Sequence, residues 1–222
     1  MKQHNSTLVM TPSGIHVLIT DTCHYSRAAL SCLVSSISHY KETQSVILPE
    51  KMPTGIILYL RGTLSEQITS LRSLVDFYAK KMGKGRVAII SDMPPRCASI
   101  LLRIAGLTEG RGNNIYMVPT RLICEDMQYT LRSILEGTTT LTPVAQHEIQ
   151  LLPPRLHALW SMICGLHQSQ QARMQNCPIK SVYNHRTLLL KQLGVSSQHA
   201  FLCGTFSQHS TATRVEKDGG KY

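Results

Sequence analysis

The chain has 222 residues and sets 23 Lys and Arg against 13 Asp and Glu, a formal charge of +10. That balance favours a polyanionic partner, nucleic acid ahead of an anionic membrane surface. Seven cysteines, odd in number and without a C-x-x-C pair, argue against a disulfide framework and for reduced thiols. No window reaches the roughly 18 apolar residues of a membrane span, and Met1 to Ser13 lacks a signal-peptide core, so a soluble cytoplasmic protein with no membrane partner is expected.

In chain order, residues 1–13 read as an irregular lead-in. Ile15 to Thr20 is a β-rich run ending at Asp21, and Ser26 to Tyr40 spaces Leu30, Leu33, Val34 and Ile37 as a helix. Gln44 to Leu48 is a weak strand and Gly55 to Leu60 a strong one, with Ser65 to Met82 helical behind it. Arg86 to Ser91 is a strand, Ala98 to Gly106 a helix, Asn114 to Val118 a strand, and Leu122 to Glu136 a helix closed by Gly137. Strands this apolar are buried on both faces, which predicts an α/β doubly wound domain over residues 1–137. The short gap before the strand at Gly55 predicts a truncated or missing second helix, since a parallel crossover takes about a dozen residues.

Residues 138–150, opening Thr138-Thr139-Thr140-Leu141-Thr142-Pro143, are the linker candidate. Pro153 and Pro154 then open a helix over Arg155 to Cys164, with Leu156, Leu159, Trp160 and Ile163 expected in its core and a stop at Gly165. Ser169 to Gln175, Lys180 to Leu193 and Gln198 to Phe206 follow as helices. The result is an all-α four-helix module over 151–207 whose middle pair forms a helix-turn-helix. Residues 208–222 read as a disordered tail. No residue from Ile149 to Val215 is acidic, whereas Arg155, Arg173, Lys180, Arg186, Lys191 and Arg214 fall in that interval. Such a segment suits a phosphate polymer, because each neutralised phosphate releases counterions.

The order Leu152-x-x-Arg155, Leu159, Gly165-Leu166, Ala172, Lys180-Ser181-Val182-x-x-His185-Arg186, Leu193-Gly194-Val195 resembles the LuxR/FixJ-type DNA-binding domain, without a gap, over about a fifth of the chain. The front part is similar in layout to a response-regulator receiver, and Val17 to Leu30 resembles the opening of RcsA-like auxiliary regulators. The resemblance implies a DNA-binding transcriptional regulator acting as a homodimer, or as a heterodimer with another LuxR-type regulator, on double-stranded DNA. It puts the third helix of the module in the major groove, with Lys180, Ser181, Tyr183, Asn184, His185, Thr187 and Lys191 as candidate DNA contacts. It puts Ala200, Phe201 and Leu202 of the last helix at a dimer contact.

Departures from the receiver pattern matter as much. Asp21 is all that remains of the metal-binding acidic pair, Tyr59 stands where the phosphoacceptor is expected, Val118 replaces a lysine, and Ser91 fits the switch hydroxyl. The implied pocket of Asp21, Tyr59 and Ser91 is degenerate, a receiver that phosphate does not modify. In the module, Gln171 and Gln175 replace apolar scaffold residues and Pro178 replaces a Ser or Thr cap.

No catalytic spacing surrounds any Ser, His or Asp, so no enzyme, cofactor or catalytic residue is predicted. Cys164, His167, Cys177 and His185 are too irregularly spaced for zinc, and no metal site is expected. Two rival functions remain. One is an interaction protein that modulates another response regulator without touching DNA; the other is a receiver that is phosphorylated after all.

Overall fold

The computed structural model describes residues 6–10, 16–20, 24–36, 55–81, 85–108 and 111–206. Asp21, the weak strand Gln44 to Leu48 and the tail expected over 208–222 lie outside them. Five strands form one sheet: β1 (Ser6–Met10), β2 (His16–Thr20), β3 (Gly55–Tyr59), β4 (Arg86–Ile90) and β5 (Ile115–Val118), neighbours in that order. β2 to β5 run parallel. β1 lies antiparallel on β2, with Ser6 opposite Thr20 and Met10 opposite His16. An irregular lead-in was expected there. The cue for a hairpin is Thr11-Pro12-Ser13-Gly14, a turn-forming run between two β-rich segments.

The strands carry apolar side chains on both sides, and the period of two sorts them. Ile56, Leu58, Val87 and Ile89 enter the core shared with α2 (Leu64–Lys81) and α3 (Pro95–Ile104). Ile57, Ala88 and Ile90 enter a second core with α1 (His24–Ser36) and α4 (Cys124–Glu136). Helices on both faces of a parallel sheet are the doubly wound arrangement. α3 starts at Pro95, three residues before the expected Ala98, because proline fits the first helical turn.

The expected linker is seated on the sheet domain. Val144, in a 3₁₀ turn over Val144–His147, is buried, and Glu148 pairs with Arg103 at 2.8 Å. Four helices follow: α5 (Pro153–Ile163), α6 (Gln168–Met174), α7 (Ile179–Leu193) and α8 (Gln198–Cys203). They do not make a separate core. Ala158, Leu159, Met162, Leu189, Leu193 and Phe201 belong to the same apolar cluster as Leu71, Met93 and Leu101. α8 contacts α2, and α7 contacts α3, where a Cβ added at Gly194 would lie 3.3 Å from Pro94. Among the described residues, no helix is long and apolar enough to cross a membrane.

Candidate nucleic-acid interface

α7 has two faces of different chemistry. Val182, Leu189 and Leu193 are fully buried, and so, within 2 %, is Arg186 at the same helical spacing. Opposite them Lys180, Tyr183, Asn184, Thr187 and Lys191 are exposed, at i, i+3, i+4, i+7 and i+11. Ser181 and His185 are half-buried on its flank, and the apolar Ile179 and Leu188 are exposed beside it. From Lys180 to Lys191 the exposed stripe is about 16 Å long at a rise of about 1.5 Å per residue. A single helix of that kind fits a major groove about 12 Å wide.

What aims this helix is polar as well as apolar. Arg186 donates from Nε to Gln171 Oε1 at 2.9 Å, from Nη2 to the Leu166 carbonyl at 2.7 Å and from Nη1 to Gln198 Oε1 at 3.3 Å. One side chain thus ties α7 to α6, to the turn before α6, and to α8. With no carboxylate in that set, burial pulls the guanidinium below the ordinary arginine pKa. Gln171, a departure from the scaffold pattern, has its explanation here: it is the acceptor that a buried arginine requires. Arg186 therefore does not belong with the bases available to phosphate. The sequence cue is its place in the 182, 186, 189, 193 series, the spacing of the buried face.

Local caps set the ends of the pair. His167 caps α6: its Nδ1 accepts from the Ser169 amide at 3.3 Å, and its own amide donates to Gln170 Oε1 at 2.9 Å. No three His, Cys, Asp or Glu side chains converge among the described residues. Asn176 takes a left-handed φ of 47° in the turn between α6 and α7, a conformation asparagine tolerates. Pro178, at the start of α7, offers no side-chain cap. Gly194, at φ 75°, closes the helix, and the Val195 amide turns back to the Leu190 carbonyl at 2.9 Å.

Ala200 and Phe201, expected at a dimer contact, lie inside this chain, at 8 % and 0 % exposure, and Leu202 is half-buried against the same core. A partner reaches Ala200 and Phe201 only if α8 parts from α2. Trp160, expected in the core, is instead 43 % exposed, in line with Leu152 and Leu156. α5 uses Ala158, Leu159 and Met162 for its buried side, so the helical phase is rotated from the one inferred.

At the carboxyl end of the sheet Tyr59 ends β3, half-buried, with the Arg61 guanidinium 5.5 Å from its ring centroid. Ser91 is buried, and its hydroxyl accepts from the Met93 amide at 3.1 Å. Asp92, which the sequence did not single out, accepts from the Thr120 amide at 3.1 Å and from the Thr120 hydroxyl, and lies 4.0 Å from Arg121. It holds the loops after β4 and β5 together.

No protein-family model and no curated protein matches the chain. Several solved structures resemble it loosely. RcsB, in a structure of two RcsB dimers bound to two parallel DNAs, is 18% identical over 70% of this chain and 75% of its own, with a TM-score of 0.48. The response regulator ChrA, of a heme-sensing two-component system, is 18% identical over 84% and 92%, with a TM-score of 0.31. FixJ from B. japonicum is 12% identical over 84% and 92%, also with a TM-score of 0.31. Likeness this loose decides nothing about function, which rests on the residues of α7 and its surroundings.

Proposed function

We propose that the protein is a DNA-binding transcriptional regulator in which α7 enters the major groove and the receiver-like part, residues 1–137, selects a partner instead of accepting phosphate. One observation carries this: the outer face of α7 presents Lys180, Tyr183, Asn184, Thr187 and Lys191 to solvent, on a lobe without a single acid. Lys180 and Ser181, near the uncapped helix start, suit phosphate oxygens, where the helix dipole adds attraction. Asn184 suits a bidentate pair with adenine, and Tyr183 or Thr187 a thymine methyl. His185 would contact the backbone from the flank, and Lys191 would sit at the far end.

Two copies bound to a duplex would set two such helices one helical turn apart. With Ala200 and Phe201 inside the chain, pairing through α8 would need α8 to separate from α2, with Leu202 the first of the three to be reached. A phenol at Tyr59 cannot form an acyl phosphate, so acetyl phosphate with Mg²⁺ is expected to add no mass.

The test is duplex selected in vitro from random sequence, titrated by fluorescence anisotropy. Asn184→Ala should weaken the selected site by about 1–3 kcal/mol while barely changing random DNA. Lys180→Ala should weaken both and lower the salt slope by about one. Binding unaltered by either change rejects the function. The exposed run Leu152, Leu156 and Trp160 favours a second function, a module that binds another regulator and no DNA. In that case no steeply salt-dependent duplex binding appears.

A further inference from the structure

We infer that the cleft at the carboxyl ends of β3, β4 and β5 binds a small, neutral, largely apolar molecule carrying one hydrogen-bonding group. The cleft has a volume of about 350 Å³. It is walled by Leu30 and Leu33 of α1, Ile90 at the end of β4, Leu122, and Met127 of α4. Ser26, Tyr59 and Thr120 supply its polar atoms.

Three features make it a site. First, helices cover both faces of the sheet, α1 and α4 on one and α2 and α3 on the other, and the cleft lies outside the carboxyl ends of the strands, where open α/β sheets bind ligands. Second, Leu30, Leu33 and Leu122 pack on the core of that face yet stay half-buried, each leaving apolar surface toward the cleft. An occupant would remove that surface from water. Third, none of the described side chains lining the cleft is charged. A carboxylate there would exchange water for the hydroxyls of Ser26, Tyr59 and Thr120, with no cation among these lining side chains.

Size narrows the class. The cleft is roughly twice the volume of an engineered dry cavity that accepts benzene, and it lies at the low end of small-molecule sites. Two fused rings or a chain of about ten carbons fit that space, with a hydroxyl or carbonyl reaching Ser26, Tyr59 or Thr120.

Cys124 lines the cleft and is exposed, whereas Cys164, also exposed, lies at the end of α5. The full-length chain is alkylated with iodoacetamide with and without 2-naphthol, and each cysteine is followed by peptide mass. At about ten times its dissociation constant, 2-naphthol should slow Cys124 about tenfold and leave Cys164 unchanged. 2-Naphthoate, with the same rings and a carboxylate, should not protect. Ala29→Trp and Leu122→Trp fill the cleft from opposite walls and should each abolish protection while the melting transition stays cooperative. If one variant fails to fold, the other decides. No protection at millimolar 2-naphthol, equal protection by the naphthoate, or protection that survives a folded filling variant would each overturn the assignment. None of these readouts depends on DNA.

Discussion

The two faces of one sheet are built from alternate residues of the same strands, and they have different fates. On one, Ile56, Leu58, Val87 and Ile89 meet α2 and α3, and the core runs on through Leu159, Leu189 and Phe201 into the helices that follow. On the other, Ile57, Ala88 and Ile90 meet α1 and α4, and this covering layer leaves a cleft at the strand ends. A face buried two layers deep fixes position: α7 is aimed by the sheet domain as well as by its own module. A face covered once keeps room for an occupant. The same period-two pattern therefore yields a packed joint on one side and a candidate binding site on the other.

The largest effect that can break this contrast comes from the joint. Phe201→Ala removes a ring that is 0 % exposed in the shared core and should cost about 3–5 kcal/mol. Leu131→Ala, equally buried under the other face, is the control, at about 2–5 kcal/mol. Native-state hydrogen exchange separates them. The first should raise exchange in α7, α8 and α2 together, the second in α1 and α4 with α7 spared. If α7 responds alike to both, the faces are not distinct.

Next comes the polar clasp. Arg186→Met strands the buried Gln171 Oε1 without its donor, a loss of about 1–3 kcal/mol, and takes the donor from the part-buried Leu166 carbonyl and Gln198 Oε1 as well. Adding Gln171→Leu removes one stranded group and should recover part of that loss, since apolar substitutes for a buried polar pair are often neutral. Denaturant midpoints of the two single variants and the double variant measure the coupling. A double variant no more stable than Arg186→Met would show that the Gln171 bond does not hold the helices.

These parts differ in how far the sequence displayed them. The strands at Gly55 and Arg86 and the helices at Ser65 and Leu122 were legible because unbroken apolar runs and a 3.6-residue period are local signals. So was α7, whose buried series 182, 189, 193 repeats by the turn. The β1 hairpin was missed although Thr11-Pro12-Ser13-Gly14 marks its turn, because Ser6-Thr7-Leu8-Val9-Met10 opens on polar residues, without the unbroken apolar run of β3, and gains its identity by pairing with β2. The role of Arg186 was hidden because charge count and burial pull opposite ways, and only tertiary partners decide. Ala200 and Phe201 were apolar on any reading. Which surface they cover is set by how α8 docks on α2, and no spacing within six residues encodes that.

Cys97 gives a smaller, pH-dependent effect on the joint side. It is 0 % exposed on α3, and burial pushes its thiol well above the ordinary 9.0. Below pH 9 the thiol is neutral whether the chain is folded or not, so its contribution is fully present. Above pH 9 the unfolded thiol ionises while the folded one cannot, and stability falls by about 1.4 kcal/mol per pH unit. Chemical denaturation of the chain and of Cys97→Ala between pH 8 and about 10 should give a shallower decline for the variant, with other groups cancelling between them. Parallel declines would mean that the thiol is hydrated in the fold.

The smallest effect tests where the shared core stops. Trp160 is the one tryptophan of the chain, and it sits on α5 at 43 % exposure, beside Leu156 at 40 %. Trp160→Ser should cost about 1 kcal/mol or less, against about 3–5 for a tryptophan enclosed in a core. The native fluorescence offers a more direct reading. Iodide, drawn to a lobe that carries bases and no acids, should quench Trp160 in the folded protein with a substantial fraction of its efficiency on the unfolded chain. Unquenched emission would put the ring inside and move the boundary of the joint outward past α5. Efficient quenching leaves Leu152, Leu156 and Trp160 as apolar surface in water, which a bound protein partner should shield from iodide and from the neutral quencher acrylamide alike, whereas a duplex on α7, by repelling the anion, should lower quenching by iodide alone.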